Sequence, residues 1–230
     1  ETIASSTIGN IVHDSLELIY KDYVGKKLKI GDLKKMKEKI NTIVQNIIRN
    51  YVREENIYKG KNIIIVETVK EYVKKVIELD QKTIEKGNGL KIIAVEREFE
   101  NEIRDKGKKF KIRGKIDRID ELNGELRVID YKSGKKLRQR NITIKDSEEL
   151  TKEKGIYNLQ LLVYMLGIKE EFNEKTIKSG IINLKNISEG VLEGVFNGKT
   201  VLNNNEMENY KNEIITMIAN ILDKSKLFKN

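Results

Sequence analysis

Cysteine, proline and tryptophan are absent from this 230-residue chain, and histidine occurs once. Without cysteine there can be no disulfide, no zinc–thiolate site and no iron–sulfur cluster within these residues. No uncharged run approaches the ~20 residues that a membrane-spanning helix requires, and nothing resembles a signal peptide. The protein is therefore expected to be soluble and cytoplasmic, with no membrane partner. What is abundant is positive charge. The formal net charge is +9, which suggests a polyanionic partner. A Lys-rich, Asn-rich, Pro-free composition can equally reflect a genome-wide bias, so charge alone does not settle the partner. The length suits one large domain or two small ones with a sizeable core. The chain opens at Glu1 rather than Met, and it is expected to be an excised part of a longer protein.

The hydrophobic period changes once along the chain. Residues 7–24 repeat apolar side chains near the 3.6-residue helical period, at Ile8, Ile11, Val12, Leu16, Ile19, Tyr20 and Tyr23. A second helix, capped by Asp32 and running to about residue 53, points Leu33, Met36, Ile40, Ile43, Val44, Ile47 and Ile48 inward. A third spans residues 61–85 and stops near Gly87-Asn88-Gly89. The period then becomes two. Strands are expected at 91–103, 110–122 and 125–131, with turns at Asp105-Lys106-Gly107 and Asn123-Gly124. Residues 134–155 read as an irregular, polar excursion. A helix follows at 157–167, strands at 176–184 and 191–196, and an amphipathic helix at 205–224. No repeat or low-complexity linker interrupts the chain. The pattern predicts one α/β domain over residues 1–230, with a mainly helical front (1–89) and an α/β core (90–230).

The densest information lies in residues 114–134, which read GKIDRIDELNGELRVIDYKSG. Asn-Gly between two β-branched runs is a strong hairpin signal, because a type I′ turn needs φ > 0 at both positions. A two-residue turn pairs Leu122 with Glu125, and counting outward sets Asp117 opposite Asp130, on one face of the sheet. Lys132, two residues on, returns to that face. At a separation of about 5 Å, two carboxylates repel by roughly 3 kcal/mol at an effective dielectric of 20. A divalent cation is the natural compensation, and the arrangement is that expected of a metal-dependent phosphodiesterase. An exposed Asp-Lys ladder would produce the same letters. Val128 and Ile119 fall on the charged face, and Ile116, Ile129 and Tyr131 on the other. Both faces are then partly apolar, as in a sheet covered by helices, and charges at the end of such a strand favour a site over a solvated surface.

Other candidates are weaker individually. His13, in Gly9-Asn-Ile-Val-His13, is mid-helix and can ligate a transition metal or Mn²⁺. Taken alone, it can equally be a surface or satisfied core residue. Glu17, at i+4, can orient the ring or be solvated. Glu96 and Glu98 alternate on the strand before the Asp117 strand, and either can bring another carboxylate. Gln160 and Tyr164 share one helix face, where Tyr164 can equally be core. Lys132, Lys135, Lys136, Arg138 and Arg140 follow one another with no acid between them. That suits contact with a nucleic-acid backbone, or a solvated loop.

In order, Gly-x-x-x-His13, Glu96, Gly-x-Ile-Asp117-Arg-Ile-Asp, Asp130-Tyr-Lys132-Ser-Gly and Gln160-x-x-x-Tyr164 resemble the RecB-like branch of the PD-(D/E)XK nuclease superfamily. The chain looks most like the C-terminal nuclease domain of AddB-type helicase–nuclease subunits, and is similar to CRISPR-associated RecB-like exonucleases. The motifs cover residues 9–164. The resemblance implies a restriction-endonuclease-like core, a mixed sheet flanked by helices. It also implies that His13, Asp117, Asp130 and the main-chain carbonyl of Tyr131 bind Mg²⁺ or Mn²⁺. Lys132 would orient or deprotonate the attacking water and offset transition-state charge. Gln160 and Tyr164 would position the site and contact DNA, and Glu96 would act near the metal. Lys135, Lys136, Arg138 and Arg140 remain the residues read as DNA-backbone contacts. Many members of these groups hold an iron–sulfur cluster with four cysteines, which this chain lacks.

The expected function is metal-dependent DNA hydrolysis, exonucleolytic, within a helicase–nuclease for DNA end processing and recombinational repair. The partner would be a helicase subunit or a flanking helicase-like domain. Two alternatives stand: a catalytically silent DNA-binding or scaffold module on the same fold, and a small-molecule phosphohydrolase.

Overall fold

A computed structural model of the chain describes residues 4–105, 108–172 and 175–222. The expected turn at 105–107 lies partly outside them, as does the end of the last predicted helix. Four helices open the chain: α1 (Ser5–Lys21), α2 (Ile30–Ile48), the single turn α3 (Glu54–Ile57) and α4 (Lys61–Glu85). Three long strands follow, β1 (Leu90–Asp105), β2 (Lys108–Leu122) and β3 (Glu125–Lys132). An irregular stretch containing β4 (Thr143–Ile144) leads to α5 (Ile156–Ile168), then β5 (Ile177–Asn183), β6 (Val191–Glu193), β7 (Val195–Phe196) and α6 (Asn204–Leu222).

The central sheet is mixed, in the order β1-β2-β3-β5-β6, with β3 and β5 parallel and the other neighbours antiparallel. Helices cover both faces. On one, α1, α2 and α4 bury Val12, Leu16, Met36 and Val73 with Ile129 and Tyr131 of β3 and Ile182 of β5. On the other, Leu161 and Met165 of α5 and Met207 and Ile214 of α6 pack with Val128 of β3 and Ile181 of β5. Neighbouring residues such as Ile181 and Ile182 therefore serve opposite cores, which is why β3 and β5 read as near-continuous apolar runs. The result is an α/β fold consistent with a PD-(D/E)XK core.

The hairpin forms as the turn chemistry dictates. Asn123 and Gly124 both take positive φ, 53° and 92°, and Leu122 pairs with Glu125. The ladder continues to Arg118 opposite Ile129, one step short of Asp117 and Asp130. There a side chain takes over, since the Tyr131 N–H donates to Asp117 Oδ2 at 2.7 Å.

Several sequence expectations are corrected. Helix α2 begins at Ile30, so Asp32 lies inside its first turn, where it accepts the Lys29 N–H. It ends at Ile48 instead of continuing to residue 53, and α3 follows. The predicted strand at 191–196 is two strands in different sheets, because Gly194 breaks it. A Cβ at that position would sit 2.6 Å from Ser179 Oγ, and its N–H bonds Ser179 O. The excursion at 134–155 is irregular but not merely polar, for Leu137, Ile142, Ile144 and Leu150 are buried in the second core. It is tied to the sheet by the buried Asn183. The Asn183 amide donates to Lys132 O and Lys135 O, and its carbonyl accepts the Leu137 N–H. Ile116 packs with Ile119 and Val128, not with Ile129 and Tyr131. The alternation of β2 breaks beside Asp117, beyond the reach of the β3 ladder and next to Glu96, whose φ is 49°.

Candidate metal centre

Three elements converge where β2 leaves the β3 ladder. Helix α1 brings His13, β1 brings Glu96 and β2 brings Asp117, and one ligand atom from each lies within 4.8 Å of the others. His13 Nδ1 is 3.3 Å from Asp117 Oδ1 and 3.7 Å from Glu96 Oε1. On the other side of the ring, Nε2–H donates to the Tyr131 carbonyl at 3.1 Å. Close approach of α1 to the strand end depends on Gly9, one turn before His13. A Cβ there would lie 2.9 Å from Ser133 Oγ. Glu17, which the i+4 spacing offered as the partner of the ring, makes no hydrogen bond to it. Glu96 and Asp117 come from the sheet instead, and a helix-local rule could not find them.

Glu96 is held in the left-handed region, φ 49°, a conformation that costs a non-glycine residue about 1–3 kcal/mol and persists where surroundings enforce it. Its carboxylate also meets Lys115 Nζ at 2.6 Å. Lys115 was not singled out from the sequence, although its i+2 spacing from Asp117 was a usable signal.

Asp130 stands outside the His13–Glu96–Asp117 group and is 2 % exposed. Its Oδ1 accepts from Gln160 Nε2 at 2.8 Å, Lys132 Nζ at 3.1 Å and Tyr164 Oη at 3.4 Å. Gln160 and Tyr164 thus turn from α5 toward this carboxylate, and Tyr164 is largely buried. Lys132 Nζ is also 3.0 Å from Oδ2, yet Oδ2, buried, accepts no aligned hydrogen bond. Lys135, Lys136, Arg138 and Arg140 are not drawn into the centre. The last three make no ion pair among the described residues, and Lys135 reaches only Glu153, at 3.6 Å. Glu98 pairs across the ladder with Lys115, outside the group.

The electrostatics show what the centre lacks. Burial works against a charged His13 ring, but Asp117 and Glu96 outweigh it and push its pKa up to about 10. Burial and then the Asp117 charge push Asp130 up to about 6, against the pull of Lys132. The centre therefore holds a proton on the imidazole and resists ionisation of Asp130, as expected where positive charge is short. Carboxylates, a carbonyl and one imidazole form a donor set suited to Mg²⁺ or Mn²⁺. Asp130 Oδ2 is buried with only Lys132 Nζ beside it, at 3.0 Å, and the clustered ligand atoms of His13, Glu96 and Asp117 fit such an ion.

A stability consequence follows for the metal-free protein. The folded pKa of Asp130 lies above its ordinary value of 3.8. The penalty is therefore absent below about pH 4 and fully present above about pH 6. Asp130→Asn removes it, so in EDTA at pH 8 the variant should be more stable by about 1–3 kcal/mol. The difference should shrink as the pH falls toward 4. Thermal unfolding of both proteins across this range checks it, and a variant less stable than the parent at pH 8 contradicts it.

The crystal structure of SSO0001 is 16% identical, with a TM-score of 0.31 over 95% of this chain and 96% of that one, too distant for any argument. No curated protein matches the chain. A family model, that of the PD-(D/E)XK nuclease superfamily, matches residues 1–228. With its mixed helix-covered sheet and carboxylates at the end of the central hairpin, the chain belongs to the PD-(D/E)XK nuclease superfamily.

Proposed function

We propose that the chain is one divalent-metal-dependent deoxyribonuclease domain of the RecB-like branch, resembling the nuclease domain of AddB-type subunits. The observation that carries this reading is the gathering of His13, Asp117 and Asp130 around the main chain of Tyr131, with Lys132 Nζ within 3.1 Å of Asp130. A scaffold needs no such set. His13, Asp117, Asp130 and the Tyr131 carbonyl would hold Mg²⁺ or Mn²⁺, with Glu96 beside them. When bound, the ion would acidify a water and draw charge from a phosphate oxygen. The chain's own residues do the rest. Lys132, part-buried and fixed by Asp130, orients the attacking water and offsets charge on the pentavalent transition state. Gln160 and Tyr164 hold Asp130 in place from α5.

DNA would run past the end of β3 along Lys135, Lys136, Arg138 and Arg140. The buried Leu137 and the Asn183 hydrogen bonds anchor this segment, leaving its charged side chains outward. No helix among the described residues is long and apolar enough to cross a membrane. We further propose exonucleolytic action within a helicase–nuclease for DNA end processing, with a helicase subunit or flanking domain feeding the strand.

One set of assays tests this. With Mn²⁺ or Mg²⁺ the protein should degrade linear DNA and spare circles, and EDTA should abolish cleavage. Lys132→Ala should lower single-turnover cleavage about 10²–10⁴-fold, the range for a positioned proton-handling group, with DNA affinity kept. Replacing Lys135, Lys136, Arg138 and Arg140 by Gln should instead weaken binding to every sequence. It should also flatten the log–log salt slope by roughly 0.7–0.9 per lost phosphate contact. Metal-independent binding without cleavage would favour a silent DNA-binding module. Equal loss of binding and turnover on Lys132→Ala would make Lys132 an ordinary phosphate contact.

A further inference from the structure

Arg118 and Asp120 belong to the same Gly-x-Ile-Asp-Arg-Ile-Asp run as Asp117, yet they point away from the metal centre. Arg118 is wholly buried. Its guanidinium forks onto Asp80 of α4, with Nη1–Oδ2 2.8 Å and Nη2–Oδ1 3.2 Å, while Nε lies 2.7 Å from Asp120 Oδ2. Asp120 receives a second fork from Arg127 of β3, at 2.7 and 3.0 Å. From α1, the Tyr20 hydroxyl donates to Asp80 Oδ2 at 2.5 Å, and the guanidinium lies 5.1 Å from the centre of its ring. Two acids, two arginines and the Tyr20 hydroxyl thus join α1, α4, β2 and β3 inside the protein.

Three residues link this network to the metal centre. Arg118 follows Asp117. Tyr20 stands seven residues after His13, two helical turns along the same face of α1. The buried Tyr131 ring feels the Arg118 charge, while its main-chain N–H and C=O face Asp117 and His13. Its ring also meets the His13 ring edge-on, at 5.8 Å.

Stability is a poor explanation for such a cluster. Desolvating buried ions costs so much that apolar replacements of similar volume are often neutral or stabilising. Direction is the better one. An apolar helix face tolerates small slides and rotations over a sheet, whereas a planar fork with two acceptors admits one arrangement. Ligation by side chains from α1 and β2 tolerates errors of only about 0.2 Å.

We propose that Tyr20, Asp80 and Arg118 are positioning residues that fix α1 on β2 so that His13 meets Asp117 at metal-binding distance. The inference rests on the metal-site reading above. To test it, Mn²⁺ affinity is measured by calorimetry on metal-free protein, alongside thermal unfolding in EDTA. The variants are Tyr20→Phe, the apolar triple Tyr20→Phe/Asp80→Leu/Arg118→Met, and His13→Ala as reference. In the triple, Asp120 keeps its fork from Arg127, so no charge is orphaned. The triple should unfold at or above the parent's temperature, yet bind Mn²⁺ about 10–100-fold more weakly, the effect of losing groups that orient a ligand. Tyr20→Phe keeps the side-chain volume and should show a loss on the order of threefold to tenfold, at the low end of that effect. If the triple does not fold, Tyr20→Phe decides alone. Parental affinity in a folded variant, with His13→Ala weakened, would overturn the inference and leave the metal site standing. Parental affinity in His13→Ala as well would remove His13 from the site, and with it both readings.

Discussion

Two carboxylates at the end of one hairpin, Asp117 and Asp130, set the constraint on which the surrounding structure depends. Both are largely buried, and their mutual repulsion helps to raise the Asp130 pKa. A chain does not keep such a pair without compensation. Around them stand the Tyr131 N–H on Asp117, the Gln160 amide and Lys132 ammonium on Asp130, and the protonated His13 ring. These partners come from β3, α5 and α1. The sheet, its two helical layers and the long register of β2 on β3 serve to bring them to one place. A divalent ion among the ligand atoms of His13, Glu96 and Asp117 would add the positive charge that these partners supply only in part.

Much of this was legible because it is local. The Asn123-Gly124 turn has one good geometry, and that geometry sets the pairing counted outward from it for as long as the ladder lasts. The register to Arg118 and Ile129 needed no knowledge beyond the turn. The long helices and strands were legible from period, and α4 (Lys61–Glu85) has the bounds its apolar repeat suggested. The centre itself was legible in part. The register count led to Asp117, Asp130 and Lys132, but the ladder stops at Arg118 and Ile129, and Asp117 meets His13 of α1 while Asp130 meets Gln160 of α5. His13 could be connected to them only through the resemblance of the ordered motifs.

What was not legible depends on contacts across the fold. The partners of His13 are sheet carboxylates, which the i+4 spacing to Glu17 could not indicate. Ile116 changed cores because the pleat is interrupted beside Asp117, where Glu96 of the neighbouring strand takes φ 49°, and strict alternation assumes an unbroken pleat. Leu137, Ile142, Ile144 and Leu150 plug the second core one at a time from an otherwise polar loop, with no period to betray them. The pairing of Arg118 with Asp80 joins residues 38 apart in sequence. No spacing rule connects a charge in a strand to one on a helix two elements earlier.

A metal-dependent nuclease built this way requires the imidazole of α1 and the carboxylates of the hairpin to share one ion. His13 is the sole histidine, so imidazole nitrogen coupling to bound Mn²⁺ can arise from that residue alone. Pulsed electron paramagnetic resonance of the metal-free protein titrated with Mn²⁺ should show imidazole nitrogen modulation. That signal should vanish in His13→Ala, and the ion should be lost in Asp117→Ala. Mn²⁺ that binds the parent protein through oxygen ligands only, with no nitrogen signal, would contradict it.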